Sequence, residues 1–118
     1  MNVSAFLGFL SYLKVLHWNT KSYAHHSVLD QAFGEFGDKI DEFVECFSGK
    51  YMLNEFEPVN ISFNCKGIGK NDFMDFTAAY EQFRKTVDEY TEDASDLKSL
   101  LDDLDNIANK ISYLLRMN

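Results

Sequence analysis

The sequence predicts an all-α fold: a bundle of four helices with one long connection between the second and the third. Three observations predict it. Apolar residues recur at helical spacing in four separate stretches. The single proline and two closely spaced glycines fall together within 51–70, and only there do apolar residues alternate. With 118 residues, 46% hydrophobic and 15% aromatic, the chain can bury one proper core, and 1–118 reads as a single domain.

The first helix is expected from Asn2 to about Thr20. Phe6, Leu10, Leu13 and His17 fall within one narrow stripe at about 100° per residue, which turns His17 inward. The second covers 26–47, with Leu29, Phe33, Phe36, Ile40, Phe43, Val44 and Phe47 on one face. Along the flank of that face run His26, Asp30, Asp41 and Glu45, together with Gly34 and Gly37. In 51–70, Pro58, Gly67 and Gly69 are turn signals, and Val59, Ile61 and Phe63 alternate as in a short extended piece.

A third helix opens at Asn71 or Asp72, either of which can cap it, and carries Phe73, Phe76, Tyr80, Phe83 and Val87 toward Tyr90. The fourth starts near Ser95, and its stripe of Leu97, Leu100, Leu101, Leu104, Ile107, Ala108, Ile111, Leu114 and Leu115 is unbroken. Trp18 and the Phe-rich stripes read as core. His25, about 100° around the helix from His26, reads as surface, and Asp102, Asp103 and Asp105 as the wet face of helix four. A short first link makes helices one and two antiparallel. The long middle link lets helix three begin at the same end as helix two.

A net charge of -8 and a pI near 4.7, with no Lys/Arg cluster, argue against nucleic acid as the principal ligand. Cys46 and Cys65 lack CxxC spacing and read as free thiols in a reducing compartment. The apolar opening MNVSAFLGFLSYL has no preceding basic segment and no small-residue cleavage site, and no apolar stretch reaches the roughly 18 residues of a membrane span. The expected location is cytoplasmic.

The chemistry concentrates on helix two. His26 and Glu45, and likewise Asp30 and Asp41, share the midpoint 35.5, which Gly34 and Gly37 straddle. At about 1.5 Å rise per residue, Asp30 and Asp41 lie roughly 16 Å apart, so the two pairs cannot serve one metal within one chain. A second, antiparallel copy related by a two-fold axis at the midpoint would set His26 against Glu45 and Asp30 against Asp41. That pattern points to a homodimer with two shared metal sites: His17, His26 and Asp30 from one chain, Asp41 and Glu45 from the other. Imidazole with carboxylate suits iron(II), and zinc accepts the same donors. Asp41 and Glu45 are like charges at i, i+4, which repel in a helix, so something positive belongs near them.

At these residues the sequence resembles the Dps family of mini-ferritins. The likeness lies in His17-Trp18-Asn19, in His26 and Asp30 as H-x3-D, and in Asp30, Asp41 and Glu45 as D-x10-D-x3-E, with weaker support from D-A-S-D-L at 93–97 and from Leu115-Arg116. The resemblance implies a ferritin-like four-helix bundle with the crossover between helices two and three. It also implies inter-subunit sites that bind and oxidise iron(II), often with hydrogen peroxide, and storage of iron(III) in a hollow higher cage. Two departures stand out: the connector TKSYAH before His26 is short, and there is no basic N-terminal tail. The variant HW-x-T-K-S-x-A-x-H also resembles a group of phage-encoded ferritin-like proteins. This implies an alternative: a non-enzymatic structural or auxiliary assembly protein, virion-associated, with a structural or vestigial metal site.

Overall fold

The computed structural model describes residues 1–117 as four α-helices and a single 3-10 turn, with no strand among them. Helix α1 is Ser4–Asn19, α2 Tyr23–Lys50, α3 Asp72–Val87 and α4 Ser95–Arg116; the 3-10 turn Asp88–Thr91 follows α3. The alternating piece at 59–63 belongs to no strand or helix and lies against α1, with the Asn60 amide on Ser4 Oγ and Phe63 on Tyr12.

Caps fix where two of the helices begin. The Ser22 side chain accepts the His25 amide at the start of α2, and Asn71 accepts the Met74 amide at the start of α3. Each helix buries one stripe: Phe6, Phe9, Leu13, Leu16 and His17 from α1; Leu29, Ala32, Phe36, Ile40 and Phe43 from α2; Phe76, Phe83 and Val87 from α3; Leu97, Leu101, Leu104, Ala108, Ile111 and Leu115 from α4. Aromatic rings fill the centre. Phe9 stacks on Phe83 at 4.7 Å and meets Phe36 edge-on at 5.0 Å, while Phe6 packs on Phe43 at 5.5 Å.

Helix α2 packs on α1 and α4, and α3 on the same two, so α2 and α3 sit at opposite corners. Tyr90 bonds the backbone of Asn2 and packs on Phe6 and Phe47, which gathers the start of α1 and the ends of α2 and α3 at one end. At the other end Asp72 meets Thr20 and His25, so α2 and α3 both start there and run in the same direction. The segment 51–71 makes the return along α1. The Glu57 amide donates to the Met1 carbonyl, the Asn60 amide to Ser4 Oγ, and Phe63 packs on Tyr12. It ends in a turn whose Gly69 has φ +96°, where a Cβ would stand 2.7 Å from the Asn19 carbonyl oxygen. Only glycine fits there.

Three expectations are corrected. Trp18 is not core: it is 69% exposed, because the inward face of α1 is set by Phe6, Phe9, Leu13, Leu16 and His17, and the next residue points about 100° away. His25 is not surface: the direction away from His26 leads to the start of α3, where its ring bonds Asp72 and its side chain is 13% exposed. Asp105 is not simply wet, since it accepts from Tyr80 Oη at 2.6 Å and Arg84 Nε at 3.0 Å and ties α4 to α3. Asp103 likewise pairs with Lys39 at 3.5 Å.

Candidate metal centre

Helix α1 ends and α2 begins within three residues, Thr20 to Ser22, so the last turn of one lies beside the first turn of the other. This sets the His17 and His26 rings face to face, with centroids 3.8 Å apart and planes 18° apart. Their hydrogen bonds are reciprocal: His17 Nδ1 donates to the His26 carbonyl at 2.7 Å, and His26 Nδ1 donates to the His17 carbonyl at 2.9 Å. A carbonyl only accepts, so each Nδ1 carries a proton, and in the neutral ring each Nε2 then keeps its lone pair. Neither Nε2 has a hydrogen-bond partner among the described residues. Imidazoles that bind metals characteristically donate the other ring nitrogen to a carbonyl or carboxylate in this way, which fixes ring orientation and tautomer.

Further along α2, at helical spacing, come Asp30, Gly34, Gly37, Asp41 and Glu45. Helix α2 runs uninterrupted from Tyr23 to Lys50, so His26, Asp30, Asp41 and Glu45 share one ridge, all exposed in the single chain. Asp30 pairs with Lys14 at 3.5 Å, and Lys14 also sits 4.4 Å over the Phe33 ring. Asp41 and Glu45 enter no ion pair among the described residues. A Cβ at Gly34 or Gly37 would meet nothing within 4 Å, so the single chain itself gives no reason for either glycine.

The structure therefore brings His17 and His26 together, with Asp30 one turn along the same ridge. It leaves Asp41 and Glu45 at the far part of the ridge, beyond the reach of His26 within the chain. Among the described residues no three His, Cys, Asp or Glu side chains stand close enough to hold a metal ion. The donor chemistry of the ridge, two unpartnered imidazole nitrogens with three carboxylates, fits iron(II) or zinc only if groups from more than one chain combine.

Sequence reasoning missed the network beneath the pair. Asp72, at the start of α3, is 7% exposed, and its Oδ2 accepts from both Thr20 Oγ1 and His25 Nδ1 at 2.5 and 2.7 Å. Nearby, Tyr12 has its phenol pushed up to about 12, first by burial and then by the negative charges of Asp75 and Asp72. The signal was present in Thr20, Ser22 and His25 within TKSYAH, but Asp72, the partner that Thr20 and His25 share, lies 52 and 47 residues further along.

A family profile matches residues 17–115, from the first histidine of the pair to the end of α4. The chain belongs to the family of unknown function DUF5856. No curated protein and no solved structure matches it. The DUF5856 match takes in every residue of the ridge as well as His17 and Asp72.

Proposed function

We propose that this DUF5856 protein is a Dps-like mini-ferritin, a ferritin-like bundle that binds iron(II) at sites shared by two copies and oxidises it there. The observation that carries the reading is the pair of Nε2 lone pairs left free by the reciprocal Nδ1 bonds, at the head of a ridge bearing three carboxylates. The common direction of α2 and α3 and the return of 51–71 along α1 support the ferritin-like assignment.

Iron(II) is the substrate. His17, His26 and Asp30 of one chain and Asp41 and Glu45 of its two-fold mate hold it, and a bound cation relieves the repulsion between Asp41 and Glu45. The redox change belongs to the metal: each iron(II) gives up one electron, and hydrogen peroxide takes up two, so one peroxide serves two irons. Zinc would occupy the same donors without oxidation. Pairs of this kind can build a higher cage, the expected store of iron(III).

One observation favours the alternative of a non-enzymatic assembly protein with a structural or vestigial site: Asp30 already has a cation in Lys14. Anaerobic iron(II) titration followed by admission of peroxide separates the two. A ferroxidase binds iron(II) and turns over an excess of it, whereas an assembly protein oxidises none beyond the uncatalysed rate.

A further inference from the structure

We infer that Asp72 is the positioning residue of the histidine pair, holding the α1–α2 turn in the one arrangement that frees both Nε2 atoms. A closed ring of hydrogen bonds passes through one carboxylate oxygen, Oδ2, while Oδ1 is buried with no hydrogen-bond partner among the described residues. Thr20 Oγ1 donates to Asp72 Oδ2 and accepts from the Ser22 amide at 3.2 Å. Ser22 Oγ accepts from the His25 amide at 3.2 Å, and the His25 ring donates back to Asp72 Oδ2 at 2.7 Å. Every residue of the turn that has a hydroxyl is thus tied, directly or through one neighbour, to a single buried oxygen of α3.

The ring bears on the site by adjacency. His26 follows His25, and His17 lies one turn before Thr20, whose amide closes α1 on the Leu16 carbonyl at 2.9 Å. The reciprocal bonds need the His17 and His26 carbonyls opposite each other's rings, a register that the three-residue turn sets. Released from Asp72, the turn can relax, and either imidazole can exchange its carbonyl for water and take the other tautomer. Asp72 touches neither ring of the pair, so it acts through the turn. Gly69 seats the same corner from the other side, against the Asn19 carbonyl.

The consequence for metal affinity rests on the proposed function, whereas the consequence for the tautomers does not. Long-range nitrogen–proton NMR spectra of metal-free wild type, Asp72→Leu, Asp72→Asn and Thr20→Val report the tautomer of each histidine, and zinc(II) titration of the same proteins reports affinity. In the wild type both His17 and His26 should show the proton on Nδ1. In Asp72→Leu these signatures should give way to mixed tautomers, with zinc(II) affinity falling roughly 10–100-fold, as loss of an outer-shell partner does. Asp72→Asn keeps an accepting oxygen and should stay within about threefold of the wild type. If Asp72→Leu does not fold, Thr20→Val is read by the same spectra and should show the mixed tautomers. Unchanged Nδ1 signatures in folded Asp72→Leu, or in Thr20→Val where Asp72→Leu does not fold, overturn the inference. A wild type with both protons on Nδ1 but no zinc(II) binding overturns the proposed function and leaves the positioning role standing.

Discussion

His17 and His26 are two imidazoles whose protons are already committed. Each Nδ1 faces a backbone carbonyl, so in the neutral rings the remaining nitrogen is an acceptor, open to a metal because no donor among the described residues reaches it. Replacing His26 with Ala removes one such nitrogen from an exposed position, and the helical fold should survive it. Iron(II) affinity should fall by more than the roughly 10–100-fold that loss of an outer-shell partner costs, as measured by anaerobic titration. Unchanged affinity would show that His26 is not a ligand. The pairing of His17 with His26 and the ridge on α2 were legible in the sequence, because HWN, H-x3-D and D-x3-E are local patterns on predicted helices. His25 was not, since its environment depends on where α3 begins.

Tyr12 offers a test at the same scale. Its phenol is held neutral up to about 12, mainly by burial, against an ordinary value of 10.0. A group whose folded value is raised contributes stability that is complete below the unfolded value and is lost as pH rises through the folded one. The protein should therefore lose stability between about pH 10 and 12, and Tyr12→Phe should flatten that dependence, read by chemical denaturation across the window. An identical alkaline profile in the Phe variant would place the effect elsewhere, with Tyr80 next in line because burial and the Asp105 carboxylate raise its phenol too.

Helix α2 bears the whole ridge. Its apolar stripe predicted a helix over 26–47 and the structure extends it to Tyr23–Lys50, since Ser22 caps it a turn earlier than His26. The connection 51–70 was legible as a long link from Pro58 and the glycines. Its path along α1 was not, because Glu57 with Met1 and Asn60 with Ser4 are pairings remote in sequence. Gly34 and Gly37 cost about 1 kcal/mol each relative to Ala in a helix interior, and nothing in the chain crowds either. Gly34→Leu should therefore raise the intrinsic stability of α2 while weakening self-association and metal binding together, because a side chain there would push apart two antiparallel copies. Sedimentation and metal titration on one sample check this. A variant with wild-type mass and metal content would remove the glycines from any two-fold axis.

For the whole molecule, a net charge of -8 without a basic cluster opposes approach to a phosphate backbone. Duplex DNA should be retained weakly at near-physiological salt in a filter assay, and tight, salt-sensitive retention would contradict the expectation. Four amphipathic stripes made the all-α bundle legible, whereas the proposed pairing of two copies rests, in the sequence, on the shared midpoint of the ridge alone.

Complementation tests that symmetry most directly. Two variants, His26→Ala and Asp41→Ala, each damage both sites of a two-fold pair, so neither alone should bind iron(II) at the wild-type level. Produced together, about half of the pairs are mixed and each mixed pair rebuilds one intact site, so the mixture should regain about a quarter of the wild-type capacity. A mixture that binds no more iron(II) than its two components measured separately would contradict a site shared between chains.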